Sequence, residues 1–317
     1  MALDIDAVLD RRQLRRKLTF WRIAAFAVLA LAIVALLSAS GVLGRMGQPG
    51  DHIARIEISG PITEDKALLS MIESVKEDER VKGVMVVVDS PGGTMVGGEA
   101  IYTELRELAQ AKPTVSSVGT LAASAGYMIA VAADHVVARR SSIVGSIGVI
   151  FQYPQAQELL DKIGVEVREI KSSPLKAEPS PFHAPPPGAE AVIARIVEEG
   201  QNWFVDLVTE RRPLDRAEVV RLADGSVYSG GTGLETKLVD ALGGEDTARG
   251  WLTGEKGVAE DLKVIDWKPK RERDGLSLLG AAASLAGFSW SHAKELLPTA
   301  LTQRYIGEGL MAVWRAG

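Results

Sequence analysis

The stretch Val84–Gly93, VMVVVDSPGG, joins an unbroken apolar run to a sharp polar turn. Five consecutive apolar residues, most of them β-branched, predict a strand that is buried on both faces, as in a parallel sheet. The glycine pair at the end leaves backbone N–H groups unobstructed by side chains, and such groups can hold a developing oxyanion. Ligands of open α/β sheets also bind at the carboxyl ends of the strands. The stretch therefore predicts a central strand followed by a candidate binding turn, with an ordinary turn as the alternative.

The sequence on both sides of this strand alternates between strand and helix patterns. Further strand patterns cover Arg55–Ser59, Thr114–Val118, His135–Ala138, Ile147–Phe151 and Val165–Ile170. Helical patterns cover Lys66–Val75, Gly98–Ala111, Ala122–Ala133, Gly188–Arg212 and Leu214–Ala223. This alternation predicts an α/β domain in which helices pack in layers against a sheet, with right-handed crossovers.

Residues 171–188 interrupt the alternation with six prolines and predict neither helix nor strand. A surface loop is the simplest interpretation. Long loops without secondary structure inside a domain are often lids or binding loops, so this segment is also a functional candidate.

The N-terminal segment predicts a membrane anchor. Ile23–Gly44 contains 22 residues without a charge, which is enough for a helix to span the roughly 30 Å hydrocarbon core of a bilayer. Several basic residues precede it and only Arg45 follows closely, so the positive-inside rule places residues 1–20 in the cytoplasm and the rest beyond the membrane. A cleaved signal peptide is the alternative, since Ser38–Ser40 offers small residues for cleavage.

These features divide the chain into five parts. A cytoplasmic segment (1–20) precedes a transmembrane helix (21–44), a linker (45–52), a globular domain (53–268) and a tail (269–317). The tail carries charged and then small apolar residues, which predicts an amphipathic helix that packs on the domain or on another subunit. A segment lying on the membrane surface is the alternative.

Composition and motif searches exclude several kinds of chemistry. The chain has no cysteine, so it has no thiol nucleophile, Cys-ligated metal or disulfide. It has no phosphate-binding glycine loop and no HExxH motif, and none of its four histidines has another at metal-ligand spacing. We therefore expect no cofactor and no metal. A net charge of −5 gives no reason to expect nucleic acid as a partner.

One histidine is retained as a site candidate. His183 lies in the proline-rich loop, whereas the other three lie at sites without a functional pattern. A Ser-His-Asp triad is set by geometry in space rather than by sequence spacing, so such a triad stays open although the sequence does not point to it.

The residues that point most directly to chemistry are Gly119–Met128, GTLAASAGYM. They follow a predicted strand and open a predicted apolar helix. Small residues on both sides of Ser124 would let a substrate backbone approach, and the serine would lie at the positive end of the helix, which suits a nucleophile. Serine is also a preferred N-cap, so a purely capping role for Ser124 is the alternative.

Four short motifs occur in one order with tight spacing: Ser90–Gly93 (SPGG), Ala122–Tyr127 (AASAGY), Ala133-Asp134 and Gly145–Val149 (GSIGV). Together they resemble the signal peptide peptidase A family of Ser-Lys peptidases, to which the SohB-type peptidases are related. The resemblance runs from about residue 53 to about residue 255. It implies a fold like that of the ClpP and crotonase proteins, with repeated β/α units.

The resemblance also implies roles for particular residues. Ser124 would attack the scissile carbonyl, Lys176 would take its proton, and Ser146 would hold the lysine amine by a hydrogen bond. The backbone N–H groups of Gly93 and Ala125 would form the oxyanion hole.

Gly92 would shape the turn that presents this hole. The sequence departs from the family pattern in two places, which are Ala125, where glycine is frequent, and Ser173-Pro174, where Ser-Gly is common before the lysine.

A lysine acts as a general base only when apolar surroundings lower its pKa well below the ordinary value of about 10.4. The neighbours of Lys176 are expected to supply such surroundings: Ile170, Pro174, Leu175 and Pro179. Lys171 is the competing candidate, but it directly follows a predicted strand and is expected to lie outside the pocket.

The resemblance implies a membrane-anchored serine endopeptidase of the bacterial inner membrane, with an extracytoplasmic catalytic domain. Its substrates would be cleaved signal peptides or other membrane-associated peptides. It would form a homo-oligomer in which neighbouring subunits complete the dyad. A crotonase-type acyl-CoA enzyme and a non-catalytic membrane scaffold stay open as alternatives, because one fold hosts many functions.

Overall fold

The computed structural model describes residues 50–269, the helical residues 21–23, 25, 26 and 29, and the backbone of Met311–Val313. The chain falls into two units, Met1–Gly50 and Asp51–Gly317, and the fold below is that of the second. Within the described part of the chain, no helix combines the length and the apolar character needed to cross a membrane. Most of the predicted anchor, residues 21–44, lies outside the described residues, so it stays a prediction.

Most strands of the second unit join one sheet. In chain order the strands are β1 (His52–Ser59), β2 (Val81–Ser90), β3 (Gly92–Thr94), β4 (Thr114–Ala123), β5 (His135–Ala138), β6 (Ile143–Gly145), β7 (Val227–Ser229), β8 (Ala241–Leu242), β9 (Lys263–Trp267) and β10 (Met311–Val313). Within the described residues the sheet has eight strands: six follow the order β7-β6-β4-β2-β1-β9, while β5 pairs with β4 and β8 pairs with β5. These pairs are parallel except for β6 with β7. The two remaining strands, β3 and β10, pair with each other in antiparallel orientation.

Helices connect these strands. They are α1 (Lys66–Glu77), α2 (Met95–Ala111), α3 (Ala125–Ala130), α4 (Gln157–Ile163), α5 (Ala189–Arg211), α6 (Arg216–Leu222), α7 (Gly230–Glu235) and α8 (Glu245–Gly254). Local capping explains where two of them begin. The Asp65 carboxylate accepts from the first backbone N–H groups of α1, and Asp215 forms a capping box with Glu218 at the start of α6.

The central strand β2 is buried on both faces. Val84, Val86 and Val88 belong to an apolar cluster with residues of α1 and α2, while Met85 and Val87 belong to a second cluster with residues of α8. Alternate side chains of a strand point to opposite faces of the sheet, so β2 lies between two helical layers. The predicted α/β architecture with a buried parallel strand is confirmed.

Strand β4 is longer than the sequence predicted. Beyond Val118 it continues to Ala123, because Leu121–Ala123 pairs with β6. The helix predicted to begin at Ala122 therefore begins at Ala125, and Ser124 stands alone between strand and helix.

Two predicted strands are wrong. Ile147–Phe151 contains no strand beyond a single bridged residue, and the strand in this region is instead β6, just before it. Val165–Ile170 is exposed and has no strand. Alternating apolar residues form a strand only where a neighbouring strand satisfies their backbone groups, and no strand of the described residues pairs with this segment.

The proline-rich segment, residues 171–188, contains neither helix nor strand, as predicted. The predicted tail, residues 269–317, lies mostly outside the described residues. Met311–Val313 form a strand, so the helical interpretation does not hold for those three residues.

We predict that the Arg212–Asp240 ion pair is a principal stabilising contact of the domain. The Arg212 side chain is 4% exposed and its two Nη atoms each lie 2.8 Å from an Asp240 carboxylate oxygen. Arg212→Met should lower the free energy of unfolding by about 3 kcal/mol, because it leaves a partly buried carboxylate without its cation. Urea denaturation of the full-length chain measures this change.

The matched control is Arg216→Met. Arg216 pairs with Asp206 at 2.9 Å, but the two side chains are 53% and 62% exposed, so its loss should cost less than about 1 kcal/mol. Equal effects of the two substitutions would contradict the prediction.

Candidate active site

The carboxyl ends of β4 and β6 bring Ser124 and Ser146 to the same edge of the sheet. Ala123 pairs with Gly145 in parallel register, and each serine is the next residue along its chain. The Ser124 N–H donates to the Gly145 carbonyl at 2.8 Å. Both serines are buried, at 1% and 8% exposure. The structure thus places these two predicted site residues beside each other.

Ser124 has a strained backbone. Its φ of 56° and ψ of −120° lie in a region that residues other than glycine rarely adopt. Such strain costs of order 1–3 kcal/mol and clusters at functional sites. Ser124 occupies the N-cap position of α3, yet its side chain makes no capping hydrogen bond. Among the described residues, the hydroxyl has one long contact, 3.5 Å, to the Gly148 carbonyl, so capping does not explain this serine.

Ser146 also has a positive φ, 51°. It follows Gly145, whose φ is 95° and whose α-carbon faces the Tyr228 ring so closely that a Cβ would lie 2.8 Å from it. The Ser146 N–H donates to the Ser226 carbonyl at 2.7 Å. The turn after β6 is therefore held by the segment that leads into β7.

The glycine turn after β2 is fixed by Ser90. The Ser90 hydroxyl donates to the Gly60 carbonyl at 2.7 Å and accepts from the Gly92 N–H at 3.1 Å. Gly92 has a φ of 105°, which favours glycine. The predicted role of Gly92 in shaping this turn agrees with its conformation.

Gly93 presents its backbone N–H toward an edge that accepts another strand. The Ile62 N–H donates to the Gly92 carbonyl, and the Ile62 carbonyl accepts from the Thr94 N–H, both at 2.9 Å. In this pattern the N–H and carbonyl of Gly93 itself point to the opposite edge. At that edge Ala312 of β10 lies opposite Gly93.

Helix α3 packs tightly against the glycine turn. Ala125 is fully buried, and a Cβ on Gly98 would lie 3.1 Å from the Ala125 Cβ. A Cβ on Gly126 would lie 2.6 Å from the Ser90 carbonyl oxygen. The first N–H groups of a helix have no partner within the helix, so the N–H of Ala125, the first residue of α3, is not used within the helix.

The structure does not bring Lys176 to the two serines. The Lys176 side chain is exposed, and within the described part of the chain it forms no hydrogen bond with Ser124 or Ser146. The expected apolar surroundings are also open to solvent, since Leu175 is 45% exposed and Ile170 is fully exposed. In a single chain, Lys176 therefore lacks the environment that a lysine base needs.

Lys171, the competing lysine, lies in a cluster of charges. Its ammonium is 2.5 Å from a Glu169 carboxylate oxygen and also contacts the Glu178 carboxylate. The hydrogen bond to Glu169, and to a smaller extent the hydrogen bond to Glu178, raise the pKa of Lys171. That is the wrong direction for a general base, which must lose its proton near neutral pH. His183 belongs to the same cluster and does not contact Ser124.

Three contributors to the site were not recognised in the sequence. The backbone of Ile62 fixes the glycine turn, the Gly148 carbonyl faces the Ser124 hydroxyl, and Asp89 accepts from the Leu121 N–H at 3.1 Å. Only Asp89 had a sequence signal, since it is the first polar residue after the apolar run of β2. The other two act through backbone atoms, which residue type does not reveal.

A mixed α/β domain with a buried, strained serine between a strand and a helix has an arrangement found in hydrolases. Comparison with known proteins specifies the class. The family model of peptidase family S49 matches residues 106–259. A putative protease of Synechocystis is 36% identical over 216 residues, covering 68% of this chain and 78% of that protein.

Two further similarities extend this comparison. A putative signal peptide peptidase SppA of Enterococcus faecium is 35% identical over 201 residues, covering 63% of this chain and 58% of that protein. A solved mutant of the 1510-N membrane-bound stomatin-specific protease has a TM-score of 0.48 at 14% identity, covering 70% of this chain and 100% of that chain. The chain belongs to peptidase family S49, the signal peptide peptidase A family, and is a peptidase.

We predict that Gly93→Ala strongly lowers peptidase activity. A Cβ at this position would lie 1.8 Å from the Ile62 carbonyl oxygen, so the glycine turn or the Ile62 backbone must shift. A fall in kcat/KM of about 100-fold or more is expected, as for the loss of an oxyanion donor. Gly250→Ala is the control, because nothing lies within 4 Å of that position. Activity that survives Gly93→Ala unchanged would exclude this turn from the site.

Proposed function

We propose that this peptidase is a serine endopeptidase in which Ser124 is the nucleophile and Lys176 the general base. The observation that carries the proposal is the conformation of Ser124, which is buried, strained and not used as a cap. Ser146 follows Gly145, which pairs with Ala123 on the neighbouring strand. We propose that Ser146 holds the Lys176 amine. Gly93 and Ala125 are proposed to donate to the oxyanion.

The proposed reaction proceeds in two halves. The Ser124 Oγ forms a bond to the scissile carbonyl carbon while its proton passes to the neutral Lys176 amine. The carbonyl oxygen becomes an oxyanion that accepts from the backbone N–H groups of Gly93 and Ala125. The C–N bond then breaks, and Lys176 returns the proton to the leaving amine. Water hydrolyses the resulting ester by the same proton transfers, which releases the acid and restores Ser124.

The exposure of Lys176 supports a site that is completed between subunits. Nine large apolar side chains between residues 150 and 196 are exposed: Ile150, Leu159, Ile163, Val165, Val167, Ile170, Leu175, Phe182 and Ile196. We infer that they face another copy of the chain in a homo-oligomer. Contact there would remove water from Lys176, as its role as a base requires.

Peptide substrates are proposed to bind as an added strand. The edge of β3 that carries the Gly93 N–H already accepts an extended segment, Met311–Val313, in antiparallel pairing. This mode of recognition uses main-chain hydrogen bonds and tolerates varied side chains. Among such peptides we propose cleaved signal peptides or other membrane-associated peptides, because a relative carries the name of a signal peptide peptidase and residues 23–44 are apolar.

The remaining parts of the proposal concern fold and location. We propose a ClpP/crotonase-like catalytic domain held by one N-terminal transmembrane helix in the bacterial inner membrane. The N-terminus would lie in the cytoplasm and the catalytic domain outside it. The basic residues that precede residue 23 support this orientation.

A fluorophosphonate probe tests the nucleophile. Labelling of the full-length protein, mapped by mass spectrometry, should occur at Ser124 and should be lost in Ser124→Ala. Lys176→Ala should lower the labelling rate by about 1000-fold or more, because the hydroxyl loses its general base. Ser141→Ala and Lys162→Ala change exposed residues and should label like the wild type. A label on another serine, or full labelling of Lys176→Ala, would refute the assignment.

Mixing two inactive variants tests the shared site. Ser124→Ala and Lys176→Ala should each be inactive alone. Assembled together from dissociated subunits, they should regain activity wherever an intact Ser124 meets an intact Lys176 from a neighbour. No recovery in verified mixed oligomers would place both residues of each dyad within one subunit.

A further inference from the structure

The loop that bears Lys176 begins and ends at a cluster of four titratable side chains: Glu169, Lys171, Glu178 and His183. The Lys171 ammonium contacts both carboxylates. The His183 Nε2 lies 3.3 Å from a carboxylate oxygen of each glutamate and 3.4 Å from the Lys171 Nζ. No part of the proposed reaction uses these four groups.

The ion pair between Lys171 and Glu178 closes the loop around Lys176. The two residues are seven positions apart, and Lys176 lies between them. Two backbone hydrogen bonds shape the enclosed residues: the Lys176 N–H donates to the Ser173 carbonyl at 3.1 Å, and the Glu178 N–H donates to the Leu175 carbonyl at 3.4 Å. The loop thus has internal order although it contains no helix or strand.

Other contacts fix the base of this loop to the rest of the domain. Ser180 is 2% exposed, and its N–H donates to the Glu178 carboxylate at 2.9 Å. The Pro181 carbonyl accepts from the Ala156 N–H at 2.7 Å, and the His183 carbonyl accepts from the Gln155 side chain at 3.1 Å. The charged cluster is therefore held against the segment that leads into α4.

The burial of Glu178 distinguishes this cluster from an ordinary surface ion pair. Its side chain is 2% exposed, so its charge depends on Lys171, because a buried carboxylate without a partner is costly. In the same segment the Arg168–Glu166 pair has side chains that are 82% and 72% exposed. An exposed pair of that kind contributes little to structure.

Lys171, and not a metal ion, is the cation that balances the two carboxylates of this cluster. Glu169, Glu178 and His183 offer three ligand atoms within 4.8 Å of one another. The Lys171 ammonium contacts both of these carboxylates, so it already supplies the positive charge that they require. A metal ion would have to displace it.

We propose that Lys171 and Glu178 form a clamp that fixes the Lys176 loop in the shape needed to present its amine to Ser124. Glu169 and His183 complete the charge balance of the clamp. This inference rests on the proposed function, because it assigns positioning residues to the proposed general base. Lys171 and Glu178 act through the loop and do not touch the substrate.

The charge states of Glu169, Glu178 and Lys171 favour a clamp that stays intact over a broad range of pH. Hydrogen bonds from Lys171 lower the pKa of Glu169 and of Glu178, and hydrogen bonds to Glu169 and Glu178 raise the pKa of Lys171. Carboxylates with lowered pKa values contribute stability above their ordinary range and lose it only as the pH falls through the lowered values. Lys171, with a raised pKa, keeps its charge as the pH rises. Together with His183, these are the titratable groups of the cluster.

Steady-state kinetics of the full-length protein test the clamp. Lys171→Met and Glu178→Gln should each lower kcat by about 10- to 100-fold with little change in KM, since a misplaced catalytic group slows the reaction without weakening substrate binding. Lys171→Arg should restore most of the loss. Arg168→Met removes the exposed pair nearby and should leave kcat unchanged. A kcat within twofold of wild type in both clamp variants would overturn the proposal.

Hydrogen exchange separates positioning from general stability. Residues 172–178 should exchange faster in both clamp variants, while the sheet strands keep wild-type protection. Uniform loss of protection in both variants would mean that the cluster only supports folding, which would also overturn the proposal. Full activity of Lys176→Ala would refute the proposed function instead. If Lys176→Ala is inactive and both clamp variants are fully active, the clamp proposal is refuted and the proposed function is not.

Discussion

The hydrogen bond from the Ser124 N–H to the Gly145 carbonyl, 2.8 Å long, is the interaction on which the site depends. A positive φ at a non-glycine residue persists only where the surroundings determine it. Here β4 pairs with β6 as far as the residue before Ser124, and every residue of α3 after it is buried. The chain therefore cannot relax at Ser124 without breaking the sheet or exposing the helix.

The same parallel pairing collects the remaining backbone features at one edge. Ser90 of β2 pairs with Ala122 of β4, which sets the glycine turn beside the turn that carries Ser124. The carboxyl ends of parallel strands lie at the same edge of a sheet, so three loops that are distant in sequence meet there. The close approach of Gly126 to the Ser90 carbonyl leaves no space for a larger residue between them.

The features of the molecule that the sequence predicted are those that depend on local pattern. The apolar run of Val84–Val88 specified a strand buried on both faces, and the small residues around Ser124 indicated the passage from a strand to a helix, although that helix begins at Ala125 and not at Ala122. The predicted strand Val165–Ile170 failed because pairing depends on a neighbour that no pattern within the segment can supply. The apolar environment expected for Lys176 is likewise missing from a single chain, since its neighbours in sequence face solvent. Backbone contributors such as Ile62 leave no trace in residue type.

The central claim is that Ser124 becomes covalently acylated during turnover. The most direct measurement mixes the full-length protein with excess peptide ester, quenches with acid within the first turnovers, and analyses the digested protein by mass spectrometry. We expect the acyl part of the substrate to be attached to the fragment containing Ser124, and the adduct to accumulate before steady state when deacylation is slow. Acylation of a different residue, or turnover of an ester with no acylated fragment under conditions that trap a known serine peptidase, would contradict it.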